Sequence, residues 1–305
     1  MILAIAWLLP TCASADDVSI WLALSELGGP YVEAANALRG QLAQTASHRI
    51  DVRVGSWQDL AQTPGKPPQL IVAVGASAYR SAIDEGQRVS ALADVPVLAL
   101  LVPRAYYEAQ APKARVPTSA VFLDQPLGRY LDLVRLALPE RRRIGVLLGP
   151  ESSAQSAPLA KAAAARGVPL VSVKVDGEDD LYAGLRSVLA DADVLLALPD
   201  ARVFNAGSLQ NILITTYRQR VPLVAFAPGY VKAGAALALY SSPTQAADQA
   251  AAMVRAFLGS HALAAPQLPS DFSVAVNERV ARSLGLIIAD PDDLAEQLRR
   301  IEAQR

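Results

Sequence analysis

The chain has 305 residues, of which 52% are hydrophobic and 19% are charged, and its formal net charge is −1 at pH 7. This length exceeds the usual single domain of roughly 100 to 200 residues, so we expect two lobes, each with its own core. The composition excludes a disordered chain and offers no basic surface for a nucleic acid, so no nucleic-acid partner is expected.

The first fifteen residues have the pattern of a secretory signal peptide. An apolar run at 2–9 precedes an Ala-Ser-Ala tripeptide at 13–15, so segment 1–15 is predicted to be removed and the mature chain to begin at Asp16. The run is much shorter than the roughly 20 residues that cross a bilayer. No Lys or Arg precedes it, so the true start could lie upstream.

Cys12 is the one cysteine of the sequence and lies inside this segment. The residues before it weakly resemble a lipoprotein box, but Thr11 is a poor fit before a modified cysteine. We therefore favour plain cleavage over a lipid anchor at Cys12, and a periplasmic mature protein. Such a protein would have neither a disulfide framework nor a cysteine nucleophile.

From Val18 onward, short apolar runs alternate with helical patterns. This is typical of parallel strands that are buried on both faces of a sheet and joined by crossover helices. The first half is predicted to contain helices at 31–44 and 76–85. Its five predicted strands lie at 18–24, 50–54, 70–74, 97–102 and 120–122.

The second half repeats this plan, so two similar five-stranded units are expected. Asp180 and Ser208 are plausible N-caps for two of its three predicted helices, at 154–165, 180–189 and 208–218. The predicted strands lie at 144–148, 170–175, 194–198, 223–227 and 235–240.

The end of the chain adds three elements and a linker. A helix after Pro243 carries one apolar stripe and is predicted to stop at Gly259. A linker at 266–270 leads to a short strand at 272–276, and a final helix is expected at 291–304.

Turns that follow the strands are where a ligand site is expected. In open α/β sheets ligands bind beyond the carboxyl ends of strands, where helix N-termini point free N–H groups at anions. In the first half, Ser25, Tyr31, Gly75 and Ser77 occupy such turns. Gly75 permits close backbone approach, and Ser77 could either cap the next helix or bind a carboxylate.

In the second half, Ser152, Asp200, Phe226 and Tyr240 are the corresponding candidates. Asp200 could meet a ligand ammonium or only cap the next helix, and ligand contact is slightly favoured. Ser77 and Asp200 are expected to face each other across a cleft. The aromatic residues near strand ends could sandwich a flat or apolar ligand, although aromatics also wedge helix ends and hinges.

The sequence offers little for catalysis. His48 and His261 lie in polar loops without a nearby carboxylate cluster, and isolated histidines of this kind are more often surface residues than bases or ligands. We find no metal-spaced motif, P-loop, dinucleotide fingerprint or nucleophile elbow. No catalytic residue, metal or cofactor is therefore expected.

A set of motifs in the C-terminal half resembles the ABC transporter substrate-binding protein family, whose members include tryptophan and tyrosine binders. The resemblance covers the chain from about Val18 to Leu286. The motifs are Leu138-Pro139, Arg143-Ile144-Gly145-Val146-Leu147, Pro199-Asp200, Val221-Pro222, Val231-Lys232-Ala233-Gly234-Ala235, Phe257-Leu258-Gly259, Val276-Asn277, Ala281 and Leu284-Gly285.

This resemblance implies the type I periplasmic-binding fold, with two Rossmann-like lobes, parallel sheets and a hinge of three crossovers near Phe122, Tyr240 and Pro269. The first lobe would comprise 16–122 plus 241–268, and the second 123–240 plus 269–305. Asp200-Ala201 and Val102-Pro103 replace the family's usual Asp-Asn and Asp-Pro pairs, so the identity of the ligand is left open.

The leading functional interpretation is a monomeric periplasmic protein that captures a small solute, such as an amino acid or another aromatic or apolar molecule, and delivers it to an ABC permease. The nearest alternative keeps the fold but signals to a membrane kinase or cyclase. An envelope enzyme is a weaker alternative, because no nucleophile and base are seen to meet.

Overall fold

A computed structural model describes residues 18–44 and 49–304 of the chain. The predicted signal peptide, Cys12, Asp16 and His48 lie outside the described residues. Two sheets form the framework, and five parallel strands in the order β2-β1-β3-β4-β5 build the first. In chain order they are β1 (Val18–Leu24), β2 (Ile50–Ser56), β3 (Leu70–Val74), β4 (Val97–Val102) and β5 (Thr118–Phe122).

The second sheet has six strands in the order β11-β10-β9-β8-β6-β7. Strand β11 runs antiparallel to β10, with Leu237 opposite Val276. The sequence predicted a parallel sheet, and this edge strand is the exception. The strands are β6 (Ile144–Leu148), β7 (Leu170–Lys174), β8 (Val194–Leu196), β9 (Leu223–Ala225), β10 (Leu237–Tyr240) and β11 (Ser273–Val276).

Helices cover the sheets, as continuous apolar strands require. Those in the chain before the second sheet are α1 (Gly29–Ala43), α2 (Trp57–Gln62), α3 (Ala76–Asp84), α4 (Arg104–Gln110) and α5 (Leu127–Ala137). The later ones are α6 (Ser156–Ala164), α7 (Glu178–Asp191), α8 (Leu209–Arg218), α9 (Pro228–Ala233), α10 (Pro243–Ser260), α11 (Glu278–Ser283) and α12 (Pro291–Ala303).

The first sheet is buried on both faces, and each face has its own core. Alternate residues of β1 divide between them, since Ile20 and Leu22 contact one core and Trp21 the other. Although α10 comes late in the chain, its apolar stripe packs with α1 on the first sheet. A third core is formed by the strands of the second sheet and the helices packed on them, including α5 and α12.

Three predicted helix signals fall differently in the structure. Helix α7 begins after Gly177, so Asp180 lies within its first turn and is not the N-cap. Ser208 occupies the N-cap position of α8, but its hydroxyl donates to the carbonyl of Val203 instead of capping the helix. Helix α10 continues through Gly259 and ends at His261, which adopts the left-handed conformation with φ 55°.

The chain passes between the sheets three times, and one buried arginine ties these crossovers together. Arg129 donates to the Gln125 side chain (2.7 Å) in the first crossover and to the Pro269 carbonyl (3.1 Å) in the third. Gln125 in turn donates to Ser241 (2.8 Å) in the second. Glu302 of α12 accepts the remaining guanidinium donors (2.6 and 3.0 Å). The C-terminal helix is thereby anchored to the hinge.

Candidate ligand-binding site

The carboxyl edges of the two sheets face the junction between the lobes. Strand β5 ends where the first crossover leaves the first sheet, and β10 ends where the second crossover returns to it. Because all strands of the first sheet are parallel, the residues after β1, β3, β4 and β5 share this edge. Ligands bind at such edges in open α/β sheets. The space between the lobes is therefore the candidate site.

Ser25, Tyr31 and Gly75 come together at the edge of the first sheet. The Ser25 hydroxyl accepts a hydrogen bond from the amide of Ala78 (3.0 Å), so a residue after β1 caps the helix that follows β3. Gly75 has φ 92°, and a Cβ atom there would lie 2.6 Å from the Tyr31 ring and also collide with Ser25. Only glycine suits this position.

Ser77 lies in the first turn of α3 and is exposed. Capping was one of its two expected roles, but Ser25 supplies the hydroxyl that caps this helix. The first amides of a helix have no intrahelical acceptor, and the helix dipole favours negative charge there. The Ser77 hydroxyl and the start of α3 can thus donate hydrogen bonds to an anionic group at the lobe junction.

Ser152 and Asp200 also come together, but in the interior of the second lobe. One carboxylate oxygen of Asp200 accepts from both the amide and the hydroxyl of Ser152 (2.8 Å each), and the other accepts from the amide of Arg202 (3.0 Å). Asp200 is only 3% exposed, and Ser152 is fully buried. Asp200 therefore does not cap the next helix, whose N-cap position is Ser208, but accepts hydrogen bonds inside its own lobe, and no hydrogen bond joins it to Ser77.

The two aromatic candidates of the second lobe differ in their surroundings. Phe226 is buried, and its ring lies 4.8 Å from that of Tyr230 and 6.3 Å from that of Phe204, so it belongs to the core of its own lobe. Tyr240 is half-buried at the second crossover. Burial and the charge of Glu33, a residue of α1 in the first lobe, raise the pKa of Tyr240. Its phenol therefore stays protonated at neutral pH and lies close to both lobes.

Asp124 and Gln155 are site residues that the sequence reasoning missed. The Asp124 carboxylate accepts from the amide of Arg104 (2.6 Å) in the first lobe and from the Gln155 side chain (3.1 Å) in the second. It lines a cavity of about 250 Å³ between the lobes. The available signal was a polar Asp-Gln-Pro tripeptide directly after a buried strand, at the predicted first crossover.

Comparison with protein families decides the identity of the chain. A sequence model of the family described as ABC transporter substrate binding protein matches residues 110–294, which is more than half of the chain. The protein belongs to the ABC transporter substrate-binding protein family. Proteins of this family bind small molecules outside the cytoplasm and work with a transporter permease. No functionally curated protein matches this substrate-binding protein.

Solved structures show the same fold at low sequence identity. Each of the following three overlaps 90% of this substrate-binding protein and 96% of its own chain. A conserved domain protein from Vibrio cholerae is 19% identical with a TM-score of 0.59. A Streptococcus pneumoniae ABC domain in complex with L-Trp is 14% identical with a TM-score of 0.60. A ligand-free, open substrate binding protein with adhesive properties from Clostridium difficile is 17% identical with a TM-score of 0.60.

The type I periplasmic-binding fold is thereby confirmed for this substrate-binding protein. None of the described helices combines the length and hydrophobicity that a membrane span requires. Within the same residues, no group of three or more His, Cys, Asp or Glu side chains could hold a metal ion.

Proposed function

We propose that this protein captures a small solute between its two lobes in the periplasm and delivers it to an ABC permease, without catalysing a reaction. The observation that carries the proposal is the direct polar link between the lobes, in which Asp124 accepts from Arg104 on one side and Gln155 on the other. A backbone amide of the first lobe and side chains of the second therefore meet at the edge where open α/β sheets bind ligands. Closure around a bound solute would use this same junction.

The proposed lobes comprise 16–122 plus 241–268 and 123–240 plus 269–305, and the functional unit is proposed to be a monomer. Packing of α10 on α1 supports the assignment of this late helix to the first lobe. The anchoring of α12 through Glu302 and Arg129 supports its assignment to the second. Small-angle scattering should show a smaller radius of gyration when the solute saturates the protein.

For the ligand, we propose a solute with an anionic end at the start of α3 and an apolar or aromatic body near Tyr31 and Tyr240. Ser77 is exposed at that helix start, and both tyrosines are half-buried at the junction. Ser25 and Gly75 would shape the turn, while Ser152, Asp200 and Phe226 would form the supporting wall of the second lobe. The complex of the pneumococcal relative makes L-Trp the first compound to test.

Mass spectrometry of small molecules released from the purified protein tests this proposal most directly. We expect one dominant small solute. When this solute is titrated back into the ligand-free protein, calorimetry should show saturable one-to-one binding. A protein that releases no solute and binds none of a broad amino-acid and small-metabolite panel would contradict the proposed function.

Export is tested separately, because the residues that carry it lie outside the described part of the chain. The Ala-Ser-Ala tripeptide at 13–15 predicts a mature protein that starts at Asp16 in the periplasmic fraction. N-terminal sequencing should find that end. An acylated Cys12 or an uncleaved Met1 would show the proposed processing to be wrong.

A further inference from the structure

Asp124 is a buried carboxylate at the point where the two lobes meet. It follows β5 in the first crossover and is 4% exposed. Its oxygens accept hydrogen bonds from the Arg104 amide and from the Gln155 side chain, one from each lobe. These neutral donors satisfy its hydrogen-bonding capacity only in part, and they bring no full positive charge.

In the described chain, no cation forms an ion pair with Asp124, although the nearby charge of Arg104 partly offsets the rise in its pKa that burial causes. The guanidinium of Arg104 pairs with Glu108 (2.7 Å), and that of Arg129 pairs with Glu302. Asp132 shows the contrast, since this equally buried carboxylate on α5 receives two hydrogen bonds from Arg166 (3.0 Å each). A buried charge without a counter-charge is costly. Asp124 therefore carries a cost that a cation at the lobe junction would remove.

A cavity beside Asp124 offers the place for such a cation. Its volume is about 250 Å³, far more than the roughly 10 to 15 Å³ of the same measure that one water molecule needs. Both lobes contribute to its wall. The polar lining includes Asp124, Gln125 and Gln155, and the apolar lining includes Leu127, Pro158 and Leu268.

We propose that this cavity binds the primary ammonium group of the solute, with Asp124 as its counter-charge and the apolar wall against its carbon chain. This inference rests on the proposed solute-binding function and names the chemical class of the solute. It also assigns the recognition of an amine to Asp124, whereas the sequence alone favoured Asp200.

The spacing of the strands along the edge of the first sheet indicates where the anionic end of the solute would lie. Ser77 follows β3 and Asp124 follows β5, with β4 between these two strands. Neighbouring strands are about 4.8 Å apart, so the ends of β3 and β5, which Ser77 and Asp124 follow, are separated by about 10 Å. A solute that reaches both must carry its ammonium and its anionic group at opposite ends of a chain. An α-amino acid such as L-Trp does not, so this inference predicts that L-Trp binds more weakly than a solute of that kind.

The pH dependence of the unliganded protein provides an independent readout. Burial raises the pKa of the Asp124 carboxyl above its ordinary value of 3.8. Hydrogen bonds from the amides of Arg104 and Asp124 and from the Gln155 side chain oppose this shift, as does the charge of Arg104. The unfolded chain therefore releases this proton at lower pH than the folded chain, and stability falls as pH rises through the raised pKa. The charged or titratable groups near Asp124 are Arg104 and Glu108, which line the same cavity, and Tyr130, whose pKa burial and the Asp124 charge raise.

Four small probes and two variants test the proposal by titration calorimetry at neutral pH. The probes are ε-aminocaproate, its isomer norleucine, hexylamine and caproate. In Asp124→Asn the shape is kept and the charge is lost, while Glu140→Gln removes an exposed carboxylate that does not border this cavity. We expect ε-aminocaproate to bind more tightly than norleucine or caproate, and hexylamine to bind more tightly than caproate.

Asp124→Asn should weaken binding of ε-aminocaproate and hexylamine at least tenfold, yet raise the melting temperature of the unliganded protein at neutral pH. Glu140→Gln should change neither. Undiminished binding of the amines by Asp124→Asn, equal affinity for caproate and ε-aminocaproate, or no binding of either amine would overturn the inference. If the solute released from the protein carries no amine but still binds at the lobe junction, this inference fails and the proposed function stands.

Discussion

The two lobes present different surfaces to the space between them. At the edge of the first lobe, Ser77 is exposed and Tyr31 is half-buried, so both have groups available for a ligand. At the edge of the second lobe, Ser152 and Asp200 are buried and bonded to each other. The same kind of sequence signal, a polar residue after a buried strand, thus produces a contact surface in one lobe and an internal brace in the other.

This difference indicates a division of roles. The second lobe is held in shape by its own hydrogen bonds before any ligand arrives, which lowers the entropy lost on binding. Under the proposed function, the first lobe would supply most of the selective contacts, together with Asp124 at the crossover. The following substitutions separate these two roles, from the largest expected effect to the smallest.

Asp200→Ala should lower the free energy of unfolding by about 3 kcal/mol. It would leave the buried Ser152 amide and the Arg202 amide without an acceptor, and each unsatisfied buried group costs about 1 to 3 kcal/mol. Urea unfolding measures this change. Asp248→Ala is the control, because that exposed carboxylate accepts from Gln41 and its loss should cost no more than about 0.5 kcal/mol. Normal stability with lost ligand affinity in Asp200→Ala would reverse the roles of the lobes.

Ser77→Ala should leave stability unchanged and weaken binding of the released solute. A hydrogen bond to a charged group contributes about 1.5 to 3 kcal/mol, which corresponds to a roughly tenfold to more than hundredfold loss of affinity. Calorimetric titration measures the affinity, and thermal unfolding checks the fold. Wild-type affinity in this variant would move the anionic end of the solute away from the start of α3.

Ser25→Ala is the matched substitution for the other hydroxyl of the first lobe. Since Ser25 caps α3 by accepting from the Ala78 amide, its loss should cost about 1 kcal/mol of unfolding free energy. Urea unfolding would detect this change. We expect a smaller effect on affinity than that of Ser77→Ala. If Ser25→Ala weakened ligand binding more than Ser77→Ala does, Ser25 and not Ser77 would be the residue that contacts the ligand.

Asp271→Asn probes the third crossover and should have the smallest effect. Burial alone would raise the pKa of Asp271, but hydrogen bonds from the Phe272 amide, Arg299 and Gln245 lower it below 3.8. The carboxylate therefore stabilises the fold above pH 3.8, and this contribution is lost as pH falls through the lowered pKa. The stability gap between wild type and Asp271→Asn should close in acid. Arg299→Gln should narrow the gap at neutral pH, and a gap that is independent of pH would contradict this account.

Much of the fold was predictable from local sequence. The strands were found because residues buried on both faces form continuous apolar runs, and the structure confirms the two-lobed α/β plan. The ends of elements were less predictable. Gly259 suggested the end of α10, but the helix continues one residue further to Ser260, since glycine can remain helical and the sequence does not fix a helix end to a single residue. Strand direction was not predictable either, since β11 pairs antiparallel only after a long return of the chain.

By itself, the sequence determined which residues follow buried strands, and so placed Ser25, Gly75 and Asp200 at the strand ends. Only the tertiary structure decided their partners, since Ser25 caps a helix 53 residues away and Asp200 bonds to Ser152 across 48 residues. It also brought Arg104 of the first lobe and Gln155 of the second to the carboxylate of Asp124 at the first crossover. A buried strand can be recognised from its own run of apolar residues. A side-chain hydrogen bond, by contrast, depends on which distant segments the packing of the chain brings within about 3 Å of each other.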